Sequence, residues 1–422
     1  MAEPVEVVVT RIAAGGDGIG RLGDGRVVFC EGALPGETVR VEVTDIRRDF
    51  ARARTVEVVD PAPGRMAPPC PHLAEGCGGC TWQYVLPAVQ QELKVAIVAD
   101  ALRRIGRLPD VEVRPAPPGR PGVPDRAYRT TARLAVDHRG RPAYRRRHAR
   151  DPVAVGSCLV SHPLLEELVT GARFPGAGEV LLRVGAAGGD RLAAPDRHAD
   201  RAQVPAGTGV GSEAAVHEEV GGRRWRVSAR SFFQSGPDAA EALVEAVVSA
   251  AGRGDSVVDL YAGVGMLGGA LVHRWGAGAL VSVESDRSAS ADAVVNLADL
   301  DARVVAADVV DPRWRAACAP RAGSASQAGS ACQAGSVSQA GSGAPAVVIA
   351  DPARAGLGRP GAAVVTALRA PVVVLVSCDP AALGRDAGLL VSAGYRLEGV
   401  EVLDLFPHTF HVEAVSRFVG PG

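Results

Sequence analysis

Val372-Val-Val-Leu-Val-Ser-Cys-Asp-Pro380 is the stretch from which the rest of the chain can be read. A β-branched apolar run of this length is expected as a strand buried on both faces, as in a parallel sheet. It stops abruptly at Ser377-Cys378-Asp379-Pro380. Cys378 therefore stands at the carboxyl end of a core strand, where open α/β sheets hold their ligands. A thiol there is either a small buried hydrophobe or a nucleophile.

Working outward, the same strand-then-turn pattern recurs on both sides. Asp255-Ser-Val-Val-Asp-Leu-Tyr-Ala-Gly-Val-Gly-Met-Leu-Gly reads as strand, glycine turn, helix, and such a turn lets a cofactor lie against backbone. It is not the Gly-x-Gly-x-x-Gly dinucleotide pattern, and no Gly-Lys-Ser/Thr follows to grip a phosphate. The next strand, Leu280–Val283, ends at Glu284, placed to accept both hydroxyls of a ribose. Arg303–Ala306 is followed by Asp308, within reach of an adenine amine; either acid can instead be a solvated loop charge or a helix cap. Val347-Val-Ile-Ala ends in Asp351-Pro-Ala-Arg-Ala-Gly, and a terminal strand carries Glu413 just inside it. A carboxylate among apolar neighbours has a raised pKa, which suits a base; its structural alternative is a buried partner for an arginine.

The chain has 422 residues, 47% hydrophobic and 22% charged, which fits two or three soluble domains. Aromatics make up 4%, so the cores must be aliphatic, and the formal net charge of −1 does not announce a nucleic-acid binder. Lys94 is the only lysine. No apolar run is long enough to span a bilayer and Met1-Ala-Glu-Pro lacks a signal pattern, so a cytoplasmic, monomeric protein with no membrane partner is expected.

Residues 1–60 read as a small β-barrel, with strands at Val5–Thr10, Arg26–Cys30, Thr38–Thr44 and Thr55–Val59 and a glycine turn at 15–20. Gly-Gly-Asp-Gly-Ile-Gly-Arg, Val-Val-Phe and Gly-Ala-Leu-Pro-Gly-Glu within it resemble a TRAM domain, which implies RNA binding. A proline-rich linker leads to Cys70-Pro-His-Leu-Ala-Glu-Gly-Cys77-Gly-Gly-Cys80. Thiols at this spacing suit zinc or an iron–sulfur cluster, with Cys158 as fourth ligand or His72 as a zinc-style substitute. Helix 87–107 follows, with Val89, Leu93, Ile97, Ala101 and Ile105 at helical spacing, and is expected to pack on the catalytic domain. Residues 61–225 as a whole are read as the cysteine-rich loop and a β-rich central RNA-binding domain. In it, Arg141–Arg150 is the densest basic stretch, interleaved with Tyr144, and suits either a backbone-tracking groove with one stacking ring or a solvated hairpin. The catalytic domain spans 226–422 and contains a low-complexity insert at 321–344, where Gln-Ala-Gly-Ser recurs.

Phe-Phe-Gln, Asp-Leu-Tyr-x-Gly-x-Gly, Asp-Pro-x-Arg-x-Gly with Ser-Cys-x-Pro, and Phe-Pro-His-Thr-x-His-Val-Glu together resemble the RNA uracil-5 methyltransferases that use S-adenosylmethionine. The barrel and cysteine loop match the ribosomal-RNA branch. The resemblance implies an α/β fold: a Rossmann-like class I methyltransferase domain, an N-terminal TRAM/OB-like barrel and a β-rich central domain. It implies Gln234, Tyr261, Glu284 and Asp351 around the cofactor, with Asp308 added from its position. It implies Cys378 as nucleophile, Glu413 as base, and a 4Fe–4S cluster on Cys70, Cys77, Cys80 and Cys158. Asp379 stands where the family usually has asparagine. The expected partner is RNA, ribosomal rather than transfer RNA; a transfer-RNA enzyme and a catalytically silent RNA-binding factor are the alternatives.

The chemistry requires those residue types. Carbon 5 of uracil is a poor nucleophile until a thiolate adds to carbon 6 and makes an enolate. After methyl transfer, a base must remove the hydrogen on carbon 5 so that the thiolate can leave.

Overall fold

The computed structural model describes residues 3–318 and 344–421, with side chains described through Arg315 and again from Ala344. The insert expected at 321–344 lies, apart from Ala344, outside the described residues.

An eight-stranded sheet organises the C-terminal half. Its strands are β1 (Val113–Pro115), β2 (Ser256–Leu260), β3 (Ala279–Glu284), β4 (Ala302–Ala306), β5 (Val347–Ala350), β6 (Val372–Ser377), β7 (Arg396–Leu403) and β8 (Glu413–Val419). They run in the order β4-β3-β2-β5-β6-β8-β7-β1. Strands β2 to β6 pair in parallel, and β8 is antiparallel to both β6 and β7. Alternation explains why β5, and β6 up to Ser377, are apolar on both faces. Ile349, Val374 and Val376 enter one core, while Val348, Val373 and Leu375 enter the core on the opposite face. Helices Pro237–Ala251 and Met266–Trp275 cover the first face, and Pro87–Ala101 and Pro380–Ser392 cover the second.

β1 comes from the segment between the N-terminal units and the catalytic domain, yet it pairs with β7 at the sheet edge. Pro115 is tolerated there because an edge strand has one unpaired side. The hairpin Ala215–Val220 and Arg223–Ser228 also joins the catalytic domain: buried Asp292 accepts from Ser228 N–H at 2.7 Å and from Ser231 Oγ at 2.6 Å.

The N-terminal unit is a six-stranded sheet that curls back on itself, with Thr10 N–H donating to Ile19 C=O at 2.8 Å. The glycine run differs from expectation. The turn is Ala13–Asp17, while Gly18–Arg21 is a strand. A Cβ on Gly20 would sit 2.3 Å from Val7 Cγ1 and 2.7 Å from Val8 O, so this glycine serves close strand packing rather than a turn.

The central unit is a second six-stranded sheet covered by helix Pro163–Gly171. In its basic hairpin Arg146, His148 and Arg150 are exposed, while other side chains are engaged within the protein. Tyr144 is half-buried with its hydroxyl 2.8 Å from Ser161 Oγ. Arg147 pairs with Glu31 of the barrel at 2.6 Å, and Arg145 pairs with Glu179 at 2.5 Å. Arg147 thus ties the central unit to the barrel, while Arg145 is held within its own sheet.

The helix expected over 87–107 is α-helical over Pro87–Ala101 and continues as a single wider turn, Leu102–Gly106. It packs against the catalytic domain through Ile97, Val98 and Leu102. Its buried face also holds Gln90 and Lys94, while Ile105 is exposed. The apolar spacing pointed about one residue off the true face, since two polar side chains are buried there.

Candidate active site

The carboxyl ends of β3, β2, β5 and β6 stand side by side along the parallel sheet, the edge where such folds hold ligands in a crevice. Cys378 follows β6 directly and precedes helix Pro380–Ser392, whose N-cap is Asp379: its Oδ1 accepts from Ala382 N–H at 2.8 Å. Aspartate and asparagine cap equally well, which accounts for Asp379 at this position. Across the sheet Ser377 pairs with Ala414, so Cys378 comes opposite Glu413. Burial pushes the Cys378 thiol up to about 11; the charges of Glu413 and Asp351 add to this and Arg354 opposes it.

Glu413 is buried, and its Oε1 has no hydrogen-bond partner among the described residues. Burial raises its carboxyl well above the ordinary range, and Asp351 adds to the effect. Asp351 itself is raised to about 7 by burial. Two carboxyls and a thiol thus share a poorly solvated space in which more than one negative charge is costly.

The loop after Asp351 is tied down from behind. Buried Asp386 accepts from Leu357 N–H at 2.6 Å and Gly358 N–H at 3.1 Å, and Arg385 donates to Ala355 C=O at 2.6 Å. None of this fastening was readable from motif spacing.

Glu284 sits at the tip of β3. Its two oxygens accept from Gly263 N–H at 2.8 Å and Asp286 N–H at 2.7 Å, which fixes the carboxylate in the crevice. Tyr261 occupies the left-handed region at φ 60°. Burial raises its hydroxyl, with Asp308 and Asp386 adding, so Asp308 stands near it. Asp308 is exposed and accepts from Val310 N–H at 3.0 Å, a local turn contact. Gln234 is buried with its Oε1 unpartnered, while Phe232 beside it is 69% exposed. Asp259, unremarked in the sequence, is fully buried; burial raises it to about 7, and Gly268 N–H at 2.9 Å opposes the rise.

The four cysteines Cys70, Cys77, Cys80 and Cys158 line one cavity of about 510 Å3, together with Arg129, Arg146 and Phe410. Burial pushes Cys80 up to about 11 and raises Cys77, and each senses the charge of Cys158. A thiol set with adjacent cations is chemically suited to an anionic metal–thiolate group. Among the described residues, no group of three or more His, Cys, Asp or Glu side chains is arranged to hold a metal ion.

Comparison with known proteins agrees with this anatomy. A TRAM domain model matches residues 3–56. An uncharacterized RNA methyltransferase of Streptomyces avermitilis is 33% identical over 99% of this chain and 98% of its own length. The 23S rRNA (uracil(1939)-C(5))-methyltransferase RlmD of Alkalilimnicola ehrlichii is 33% identical over 99% of this chain and 96% of its own. Among solved structures, the Pyrococcus abyssi tRNA (uracil-54, C5)-methyltransferase in complex with S-adenosyl-L-homocysteine superimposes with a TM-score of 0.68 at 22% identity, covering 98% of this chain and 100% of that one. With a relative of that name 33% identical over nearly the full length of both chains, the chain belongs to the RNA uracil-5 methyltransferase family.

Proposed function

We propose that this enzyme transfers the methyl group of S-adenosylmethionine to carbon 5 of a uridine in ribosomal RNA. The observation that carries the reading is the closeness of Cys378, one residue past β6, to Glu413 at the start of β8 and to Asp351, whose charges both act on its thiol. Gln234, Tyr261, Glu284, Asp308 and Asp351 form the cofactor side, with Glu284 held ready for ribose hydroxyls. The Cys378 thiolate adds to carbon 6, and the resulting enolate attacks the sulfonium methyl. Glu413 then takes the proton from carbon 5; the C5–H pair restores the C5–C6 double bond and the C6–S pair returns to sulfur. A carboxylate raised by burial has the proton affinity this step needs. The target base must leave its stack, which is easiest in a single-stranded loop.

The relatives that carry a substrate in their names include ribosomal-RNA enzymes of nearly the same length, which supports ribosomal over transfer RNA. Cys70, Cys77, Cys80 and Cys158 would hold a 4Fe–4S cluster, for which their shared cavity and the neighbouring Arg129 and Arg146 are suited. In this reading the enzyme acts as a monomer in the cytoplasm; among the described residues no helix is long and apolar enough to cross a membrane. Mass spectrometry of ribosomal RNA from a deletion strain should show one 5-methyluridine lost and restored on complementation. Unchanged ribosomal RNA with a lost transfer-RNA methyluridine would reassign the substrate.

A further inference from the structure

The turn that precedes Glu413 is held by a distant part of the chain. Residues 82–85 form a turn just after Cys80, with Val85 N–H donating to Trp82 C=O at 3.0 Å. Trp82 N–H donates to His408 C=O at 2.8 Å, and its indole N–H donates to Gly16 C=O at 3.1 Å. Gln90 closes the link: its Nε2 donates to Val85 C=O at 2.9 Å and its Oε1 accepts from His408 N–H at 2.7 Å. One turn later, Lys94 Nζ donates to Asp404 Oδ1 at 2.5 Å and to Phe406 C=O at 3.2 Å.

Both backbone polar groups of His408 are thus satisfied by residues more than three hundred positions away in the chain. His408 is buried and lies in the left-handed region at φ 65°. A non-glycine residue there is strained and persists only where its surroundings over-determine it. Gln90 is 1% exposed on a helix face where it and Lys94 are the polar residues among Ile97, Val98 and Ala101. Replacing it with an apolar side chain would leave the His408 N–H and the Val85 C=O buried and unpaired.

We propose that Gln90 is a positioning residue for the uridine reaction: it fastens the Phe406–Thr409 turn to the segment following Cys80 and so sets where Glu413 stands relative to carbon 5. This rests on the reading of Glu413 as the base. Thiolate addition and methyl transfer do not use Glu413, whereas release of the methylated base does. Loosening the turn therefore slows release more than the steps before it.

The test uses Gln90→Met, which keeps the volume and removes both bonds, and Gln90→Glu, which keeps an acceptor for His408 N–H. Both are assayed on ribosomal RNA from cells lacking the enzyme. Gln90→Met should consume methyl groups in a first turnover as wild type does, but release product roughly tenfold or more slowly, with a covalent RNA adduct on denaturing gels. Gln90→Glu should fall between the two. Wild-type release by folded Gln90→Met, or equal loss of methyl consumption and release, overturns the assignment. Hydrogen exchange on the wild-type enzyme gives a readout independent of variant folding: amides 406–412 should open together with 82–90, and separate, faster opening also overturns it. Wild-type enzyme with RNA containing 5-fluorouridine separates the two levels, since absence of any adduct there would defeat the Cys378 reading itself.

Discussion

Cys378 and Glu413 stand side by side because β8 runs antiparallel to β6: the register that pairs Ser377 with Ala414 carries one step further to these two residues. Residues directly opposite in an antiparallel pair project to the same face. A thiol and a carboxylate 35 positions apart in sequence are thereby brought to one end of the sheet, next to Asp351.

Cys378→Ala should lower methyl transfer by roughly three orders of magnitude or more, as expected when a covalent nucleophile is removed. Binding of S-adenosylmethionine should survive, because Glu284 ends β3 and Gly263 lies in the turn after β2, both away from β6. Tritiated-methyl transfer and calorimetry check the two halves, and retained turnover would defeat the nucleophile assignment.

Glu413→Gln keeps shape and removes the base. The variant should consume one methyl equivalent and then stall as an RNA adduct through Cys378, seen as a shifted band on denaturing gels. Methyl consumption with no shifted band would remove Glu413 from this role.

Glu218 supplies a pH test of the fold rather than the chemistry. It is 1% exposed, and burial raises its carboxyl from 4.5 to about 7, opposed by Ala186 N–H, Thr130 and Arg183. A raised acid binds its proton more tightly in the folded state. Its contribution is therefore fully present below the unfolded value near 4.5, declines as pH rises to about 7, and is level above that. The loss amounts to about 3 kcal/mol across the window. Glu218→Gln should gain stability relative to wild type at pH 8 and not at pH 4. Asp259 and Asp351 titrate in the same range, so the informative quantity is the difference between the two proteins in denaturant melts.

Protein purified without air should carry iron and a brown colour, and Cys80→Ser should lose both. Zinc, or no metal, by elemental analysis would exclude the cluster. The thiols of Cys77 and Cys80 are raised by burial, so metal uptake must release protons and should weaken as pH falls.

The buried parallel strands, and the placing of Cys378, Asp351 and Glu284 at their carboxyl ends, were legible in the chain itself. A buried parallel strand must be apolar on both faces, and its end must carry whatever chemistry the crevice uses. The TRAM-like barrel was legible from its motifs, but the role of its glycines was not: Gly18 and Gly20 admit no Cβ against Val9 and Val7 and serve strand packing rather than the expected turn. Tertiary structure alone decided which polar residues are structural. Tyr144 and Arg145 meet Ser161 and Glu179 within the central unit, and Arg147 meets Glu31 of the barrel, contacts set only when these segments pack together. Gln90 and Lys94 interrupt an apolar helical face because their partners, His408 and Asp404, arrive from the far end of the chain. Periodicity reports which side of an element faces a core, since burial of apolar surface is non-directional. It is silent about buried hydrogen bonds, whose partners are chosen only when distant segments meet.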